Sequence, residues 1–339
     1  MAARMGAPVI GAVCHAGQES GGGAGVGFGT LVTTTQSTTS RWQLSLGYRW
    51  QDSFTHFRGN HEEKERVALD TQMENKLHLM DIALSYRVSP RWTLNVGAPF
   101  MVVDRINHRA ETVTHSRGLG DMSFGAKFWL FRPPTESRQN IQFGFSMKLP
   151  TGKPDGTDFP KPTSEAAPGA GFGRLTTVDQ SIQLGDSGTG ISFDYMAFKS
   201  MQRFTIFSTG AWLLNPKNTY TADTPGSRTL SVPDQYLWQA GLGYAVPRLN
   251  GLAFTGTARM EGVPARDIIG REDGFRRPGY AVSVGPGIMF AHGRNTWSVS
   301  APMAVKRDRT QSVPDTRTGG HGDAAFADYV ILFGFSTAF

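Results

Sequence analysis

The last eleven residues of the chain place the strongest constraint on its fold. Residues 329–339 read Tyr-Val-Ile-Leu-Phe-Gly-Phe-Ser-Thr-Ala-Phe. Because successive side chains of a strand point to opposite faces, the aromatic side chains share one face. Glycine, serine and alanine share the other face with Val330 and Leu332. A soluble sandwich would turn the aromatic face inward and rarely end on that strand, so we interpret this face as one that contacts lipid.

A terminal strand that ends on an aromatic side chain resembles the C-terminal signal that outer-membrane β-barrels present to their assembly machinery. The residues that carry this resemblance are Tyr329, Phe333, Phe335 and Phe339. The resemblance implies two partners, the barrel-assembly machinery and outer-membrane lipid. It also implies a location in the outer membrane of a Gram-negative cell.

The same alternation of large apolar and small or polar side chains recurs along the chain and predicts about twelve strands. Representative large side chains are Trp42, Leu46, Met80, Trp92, Phe124, Phe143, Phe193, Trp238, Phe254, Val284 and Trp297. Many tryptophans and tyrosines fall near strand ends, which is typical of the aromatic girdles of membrane barrels.

The composition agrees with a membrane barrel and excludes a bundle of membrane helices. The chain has 339 residues, is 39% hydrophobic, and contains no apolar run of the roughly 18 to 20 residues that a membrane helix needs. A barrel strand is apolar only at alternate positions, so a mean hydropathy of −0.29 is expected. The alternative is a soluble β-protein, in which the face of small and polar side chains would be the solvent side. The glycine content, 41 residues in the chain, is excessive for such a surface.

The lengths of the connections predict the orientation of the strands. Short turns are expected at 88–91, 132–137, 200–202, 247–251 and 291–294, and long connections at 53–75, 104–118, 150–187, 215–233, 262–278 and 307–325. Strict alternation of this kind is typical of bacterial barrels. We therefore predict an all-β fold: an antiparallel transmembrane β-barrel of about 12 strands, with short periplasmic turns and long extracellular loops. Counting 174–186 as a strand breaks the alternation, so we assign it to a structured outer loop.

The N-terminal region is expected to lie outside the barrel. Residues 1–20 contain Arg4, a short apolar stretch and Ala16, and they are typical of a weak or truncated signal peptide. Residues 21–40 would form an N-terminal periplasmic segment, and residues 41–339 the barrel. A lipid-anchored Cys14 is the alternative, although Val13 is bulky where a lipoprotein signal has a small residue.

Two segments resemble a known group of membrane proteins. Residues 118–127 read Gly-Leu-Gly-Asp-Met-Ser-Phe-Gly-Ala-Lys, and residues 149–153 read Leu-Pro-Thr-Gly-Lys. With the terminal Phe339, they resemble the outer-membrane β-barrel transporter-like proteins of the loosely defined MetA-pathway of phenol degradation type. The resemblance implies a barrel fold and a small solute of hydrophobic or aromatic character. It implies no catalytic residues and no cofactor.

Charged side chains on the small-residue faces are the candidates for lining the lumen. They are Arg49, Asp81, Arg87, Asp121, Lys127, Lys148, Asp194, Arg259 and Glu261. One interpretation is a narrow pore with a charged constriction, and the other is a structural network that keeps polar groups away from lipid. The first interpretation predicts a passive channel or transporter. The second predicts a sealed barrel whose outer loops bind surface polysaccharide, lipid or protein.

Other classes of function have weaker support in the sequence. An outer-membrane hydrolase would need His108, His115 and Ser116 in one site, with an orienting acid that the sequence does not indicate. The net charge of +6 (34 − 28) comes from scattered residues, so we expect no nucleic-acid partner. Asp267, Glu272 and Asp273 lie among arginines, which favours ion pairs over a metal site. We expect no enzyme activity, metal or cofactor.

Overall fold

The protein is described by a computed structural model. It covers residues 8–9, 32–33, 40–131, 137–163, 174–217, 219–221, 229–270 and 272–339. Pro8–Val9 and Val32–Thr33 pair as antiparallel two-residue strands. The rest of the predicted signal peptide at 1–20, and most of the predicted segment at 21–40, lie outside the described residues.

Within the described part of the chain, twelve antiparallel strands form a closed barrel. They are Trp42–Arg58 (β1), Met73–Arg87 (β2), Trp92–Asn107 (β3), Thr112–Leu119 with Ser123–Trp129 (β4), Gln139–Lys148 (β5), Gly190–Met201 (β6), Phe204–Leu214 (β7), Gln235–Ala245 (β8), Leu252–Val263 (β9), Gly279–His292 (β10), Asn295–Ser300 with Met303–Asp308 (β11) and Ala324–Ala338 (β12). Each strand pairs with the next in the chain. The prediction of an all-β antiparallel barrel of about 12 strands is confirmed.

The last strand closes the barrel against the first. β12 pairs with β1 from Ala324 opposite Phe57 to Ala338 opposite Gln43. Beyond this ladder, the Trp42 N–H donates to the Phe339 carbonyl at 3.1 Å, and the Phe339 N–H donates to the Trp42 carbonyl at 2.9 Å. Closure leaves no free sheet edge, which is the condition for placing strands in a medium that offers no hydrogen-bond partners.

The two faces of the wall differ as the sequence predicted. The outer face exposes a belt of large apolar side chains that includes Ile82, Leu94, Phe124, Phe143, Phe145, Phe193, Ile206, Leu242, Phe254 and Ile288. The inner face carries small and polar side chains. The Asp194 carboxylate lies over Gly144 of the neighbouring strand, where a Cβ would clash with Asp194 Oδ2. The glycine therefore provides the space for this carboxylate in the lumen.

Aromatic side chains mark both ends of the apolar belt. At the short-turn end, the rings of Trp42 and Tyr86 lie 4.6 Å apart. At the long-loop end, Trp212 and Tyr236 stack at 5.1 Å. Amphipathic rings prefer the boundary between hydrocarbon and headgroups, so these pairs bound the membrane-spanning part of the wall.

Two strands, β4 and β11, are interrupted by short irregular segments. β4 breaks at residues 120–122, in the Gly-Leu-Gly-Asp segment. β11 breaks at Ala301 and Pro302, where the ladder is held by one bond from the Ala301 N–H to the Pro286 carbonyl. Because proline has no N–H to donate, Pro286 and Pro302 account for the missing ladder bonds between β10 and β11.

The connections are long and short in the predicted order, with one exception. β3 continues to Asn107 and β4 begins at Thr112, so the long loop expected at 104–118 is wrong. The side chains there still point to the two faces in turn. On the outer face, His115 Nδ1 and Asp104 Oδ1 form a hydrogen bond of 2.8 Å. The polarity of this segment reflects a hairpin that extends beyond the hydrocarbon, and not a loss of strand structure.

Within the residues that the structure describes, helical structure is confined to the connections. It comprises Lys64–Ala68 (α1), Val313–Thr318 (α2) and a 3₁₀ turn at Gln180–Ile182. Ser312 caps α2 through a reciprocal capping box with Asp315, and Gly319 ends the helix with a φ of 69°. Among the described residues, no helix combines the length and the apolar character needed to cross a membrane.

The outward face of β5 provides a test of the membrane assignment. Phe145 is 48% exposed and lies between Phe143 and Met147 on that face. Replacing Phe145 with arginine is expected to lower the free energy of unfolding by about 2–4 kcal/mol in lipid vesicles, because a cation near the bilayer centre loses its hydration. The measurement is denaturant unfolding of the vesicle-folded protein. The control, Phe145→Leu, keeps the apolar contact, and an equal loss in both variants would contradict the assignment.

Candidate functional site in the barrel lumen

A buried triad of charges crosses the lumen between β1 and β9. Arg49 donates to both oxygens of the Glu261 carboxylate, at 2.9 Å from Nη2 and 3.2 Å from Nη1. Arg259 Nη2 donates to Glu261 Oε2 at 2.5 Å. All three side chains are buried. The bidentate Arg49 pair fixes the carboxylate, and the triad carries two positive charges against one negative charge.

The remaining predicted lumen residues on the short-turn side form weaker groupings. Lys127 Nζ lies 3.7 Å from Asp194 Oδ1, across Gly144. Asp81 is buried and within Coulombic range of Arg49. Its Oδ1 has no hydrogen-bond partner among the described residues. Arg87 is the last residue of β2, only partly buried at the short-turn mouth, and the structure does not bring it to the triad.

Lys148, Asp121 and Asp186 form the most deeply buried cluster. Lys148 Nζ donates to the two Asp186 oxygens at 2.5 and 2.6 Å and to Asp121 Oδ2 at 3.2 Å. Lys148 is fully buried, so its charge is enclosed and does not face open solvent. Asp186, which the sequence analysis did not select, comes from the connection between β5 and β6. The cluster therefore ties that connection to the wall.

The two segments that carried the family resemblance meet at this cluster. The Asp121 carboxylate accepts from the Gly152 N–H at 2.8 Å. The Met122 N–H donates to Thr151 Oγ1 at 2.7 Å, and the Thr151 hydroxyl donates to the Gly120 carbonyl at 3.0 Å. A Cβ at Gly152 would lie 2.4 Å from the Leu184 carbonyl oxygen, so only glycine fits there. The break in β4 and the end of β5 thus form one structural unit.

Residues 174–189, which we call the plug segment, occupy the long-loop half of the lumen. Its apolar side chains Val178, Ile182 and Leu184 are buried against the inner face of β2 and β3. The wall residues of this cluster are Leu77, Leu79, Met101 and Val103. Apolar packing of this kind stabilises the docked segment at roughly 25 cal/mol per Å² of buried area.

Polar contacts fix the plug segment on three sides. Asp179 accepts from Arg277 at 2.8 and 2.9 Å and lies 3.7 Å from Arg105 Nη2. Ser181 Oγ accepts from Arg105 Nη1 at 3.1 Å. The Gln180 amide donates to the Ser231 carbonyl at 2.9 Å. The segment is therefore bound to the wall and also to the β7–β8 and β9–β10 connections.

The expectation that residues 174–186 form an outer loop is wrong in its location, because the segment lies inside the lumen. A signal for this was present in the sequence. Residues 100–103, Phe-Met-Val-Val, are apolar on both faces of β3, and residues 77 and 79 place two leucines on the inner face of β2. A strand that is apolar on both faces is buried on both faces, which requires a covering element in the lumen.

The outer connections cover the plug segment and are held by ion pairs. Arg276 donates to both Asp267 oxygens and to Ser231 Oγ. The side chains of Arg276 and Asp267 are both buried. Asp273 pairs with Arg317 at 3.4 Å. The carboxylates considered for a metal site thus pair with arginines, and the described residues contain no cluster able to hold a metal ion.

The residues considered for a hydrolase do not form one site. His115 and Ser116 are neighbours on β4 and point to opposite faces. His115 bonds Asp104 on the outer face, whereas Ser116 is buried. His108 Nε2 bonds Glu74 at 2.9 Å and its Nδ1 lies 2.9 Å from Asp70. The hydrogen-bond relay that a serine nucleophile needs is therefore missing among these three residues.

A pocket lies in the lumen between β8 and β12. Its cavity volume is about 30 Å³, which is room for one or two water molecules. The inward-facing residues that line it are Gln239, Thr255, Thr257, Arg259, Met289, Ser298, Ser300 and Leu332, together with Pro302 at the break in β11. Ile288 and Val299 also contribute to the lining, although their side chains are exposed on the outer face. Among the predicted lumen residues only Arg259 lines it. The hydroxyl side chains around it were missed, because serine and threonine on an inner strand face are expected in any barrel.

Comparison with known proteins identifies the fold. No family model and no curated protein matches the chain. The COG4313 outer membrane channel from Pseudomonas putida F1 is similar over 88% of this chain and 96% of that chain, with a TM-score of 0.59 and 10% identity. The Pseudomonas putida toluene transporter TodX covers 88% of this chain and 90% of its own, with a TM-score of 0.42 and 9% identity. At 10% identity, the first similarity shows a shared outer-membrane barrel fold.

The Lys148 cluster predicts a large and specific loss of stability. Lys148→Met leaves Asp121 and Asp186 buried without their cation, so the free energy of unfolding is expected to fall by about 3–5 kcal/mol. The matched control is Lys153→Met, an exposed residue of the same segment, with a change within about 0.5 kcal/mol. Denaturant unfolding measures both variants. Equal effects would mean that the buried lysine contributes no more to stability than an exposed one.

The Asp179 carboxyl gives the plug segment a defined dependence on pH. Burial raises its pKa, but Arg105, Arg277 and the Ser181 N–H outweigh burial and hold the pKa well below its usual range. A lowered folded-state pKa contributes stability above the unfolded value, and that stability is lost as pH falls through the folded value. The contribution of Asp179 to docking is therefore expected to stay constant from about pH 8 to about pH 5.

Asp179→Asn tests this assignment at neutral pH, because the amide removes the charge that Arg105 and Arg277 stabilise. We expect faster hydrogen exchange over residues 176–184 at pH 7 in the variant. Between pH 5 and pH 7 the wild type and Asp179→Asn should show the same change in protection after correction for intrinsic exchange rates, because Asp179 does not titrate in this range. A loss of protection that occurs in the wild type and is absent from Asp179→Asn would contradict the lowered pKa.

Proposed function

We propose that the protein is a passive channel in the outer membrane for a small solute of hydrophobic or aromatic character. One observation carries the proposal: the plug segment closes the long-loop half of the lumen, whereas the wall side chains of the other half leave space. Inner-face residues there, such as Ser45, Ser85 and Gln239, are only partly buried. A barrel closed by a docked segment opens when that segment moves.

The chemistry of the two halves supports such a route. The lumen near the short-turn end is lined by hydroxyl, amide and charged side chains that retain water. The plug segment covers an apolar surface of Leu77, Leu79, Met101 and Val103, and its displacement would expose that surface to an entering solute. An apolar surface next to a hydrated passage suits a small solute with an apolar body. The shared fold with a COG4313 channel agrees with this proposal.

Ile182→Asp tests whether the plug segment limits passage. Ile182 is fully buried in the apolar cluster. An unpaired carboxylate there costs several kcal/mol, and about 1.4 kcal/mol changes an equilibrium tenfold. We expect undocking and a clear rise in the conductance of the refolded variant in planar bilayers, together with faster uptake of small aromatic solutes by liposomes.

The control is Ile268→Asp, which places the same charge on an outer residue that is 66% exposed. Its conductance is expected to match the wild type. Heat-modifiable migration in gels shows that each variant is folded. A folded Ile182→Asp variant that stays silent in bilayers would reject the channel and favour a sealed barrel whose outer loops bind surface polysaccharide, lipid or protein.

We also infer two partners that accompany a barrel of this kind. The aromatic side chains Tyr329, Phe333, Phe335 and Phe339 lie on the outer face of β12. Their position at the closing strand supports recognition by the barrel-assembly machinery. The apolar belt supports outer-membrane lipid as the surrounding medium.

A further inference from the structure

The short-turn end of the barrel carries exposed cations around its circumference, which we call the basic rim. Its members lie at the start of β1 and at the β2–β3, β6–β7, β8–β9 and β10–β11 turns, and all of them are exposed. They are Arg41, Arg91, Lys199, Arg203, Arg248 and Arg294. The cations therefore surround the barrel and do not form a patch on one side of it.

The described residues of the short-turn end contain no aspartate or glutamate. The ranges concerned are 40–48, 84–97, 125–131, 137–145, 195–208, 241–256, 286–299 and 334–339. The positive charges of the basic rim thus face no carboxylate side chain in this part of the barrel. They are uncompensated by the described residues around them, and an anionic partner would have to come from outside the chain.

The cations of the long-loop end have the opposite environment. Arg58 pairs with Glu63 at 2.9 Å. Lys76 pairs with Glu74 at 2.8 Å. The net charge of the chain is only +6, so the excess of positive charge at the short turns is a matter of placement. Acidic side chains are concentrated toward one end of the barrel, and the other end stays basic.

Three arginines of the basic rim each precede an aromatic residue that is exposed on the outer face. The dipeptides are Arg41-Trp42, Arg91-Trp92 and Arg203-Phe204. Each aromatic side chain packs against a second ring on the neighbouring strand, with centroids 4.6, 4.8 and 5.1 Å apart. Since aromatic pairs of this kind lie at the boundary between hydrocarbon and headgroups, the adjoining guanidinium groups lie at the level of the lipid headgroups.

Two contacts show that the basic rim reaches the lipid-facing side of the wall. Arg41 Nη1 donates to the Tyr86 hydroxyl at 3.3 Å. Lys199 lies opposite Ile206 in the β6–β7 ladder, and Ile206 is 51% exposed on the outer face. Because paired residues of neighbouring strands share a face, Lys199 also points outward. A solute in the lumen does not reach these side chains, whereas a lipid beside the wall does.

We propose that the basic rim binds the phosphate groups of anionic phospholipids in the leaflet that surrounds the short-turn end. The arginine fork matches two oxygens of one phosphate group. Each cation near a membrane surface strengthens the attraction of anionic lipid by roughly fivefold at low ionic strength. The aromatic side chain beside each of the three arginines contacts the upper part of the same lipid. This inference depends on the barrel fold and not on the proposed channel.

The distribution of the cations favours lipid over a soluble acidic protein. A protein partner docks on one compact surface, whereas the basic rim spans both sides of the barrel. Its outward members also lie beside rings that belong in the membrane boundary. Phospholipids surround the whole circumference and meet every member of the rim at the same depth.

The test measures which lipids adjoin the protein. The full-length protein is folded into phosphatidylcholine vesicles that contain a trace of spin-labelled phosphatidylglycerol or spin-labelled phosphatidylcholine. Electron paramagnetic resonance then gives the ratio of their association constants. The wild type is expected to prefer phosphatidylglycerol at least about twofold at low salt. This preference is expected to fall in about 1 M NaCl, because exposed charges are screened.

The triple variant Arg41→Gln/Arg91→Gln/Arg203→Gln is expected to lose at least about half of the preference, since it removes half of the cations of the basic rim. The matched control is Arg109→Gln/Arg266→Gln/Arg317→Gln. It removes the same charge from exposed arginines of the long-loop connections, and it is expected to keep the preference of the wild type. Heat-modifiable migration in gels shows that each variant is folded.

The conservative triple variant Arg41→Lys/Arg91→Lys/Arg203→Lys keeps the charges and is expected to keep most of the preference. An equal loss in the glutamine and lysine variants would overturn the assignment to charge. A wild type without preference for phosphatidylglycerol, or equal losses in the rim and control glutamine variants, would overturn the proposal and favour a soluble acidic partner. None of these outcomes depends on the conductance of Ile182→Asp, so the two proposals fail separately.

Discussion

The backbone ladder of the barrel is the constraint on which the rest of the structure depends. Lipid offers no hydrogen-bond partners, so each strand in the wall must be paired on both sides. The pairing of β12 with β1 satisfies this condition and extends to the bonds between Trp42 and Phe339. Once the wall is closed, the alternation of side chains assigns every second residue to lipid and the others to the lumen.

The inner face then has to accommodate charges in a confined space. The structure pairs several of them across the lumen and through the plug segment. Arg49 and Glu261 are 212 residues apart in the chain, and Lys148 and Asp186 are 38 apart. A buried ion pair contributes less net stability than its short distances suggest, because both ions lose their hydration. Such pairs nevertheless define one arrangement of the plug segment, since a shifted segment would leave a buried charge unpaired.

The segments at 118–127 and 149–153 form one structural unit around Lys148. Asp121 accepts from the Gly152 N–H and from Lys148, and Thr151 bridges Gly120 and Met122. The glycines allow close backbone approach, and the threonine and aspartate supply the hydrogen bonds. These residues hold the start of the β5–β6 connection where the chain turns into the lumen. They therefore help to position the plug segment.

The features that depend on the two-residue period of a strand and on local turn chemistry could be predicted from the sequence. These are the strand count, the lipid-facing side chains and most connection lengths, because each is decided within about ten residues. Tertiary structure alone decided the partners of Arg49, Lys148 and Asp179, since partners across a lumen depend on how the strands tilt and stagger around the barrel. It also decided that the plug segment lies inside. That position depends on an apolar patch formed by two strands together, and only the closed barrel brings the segment onto that patch.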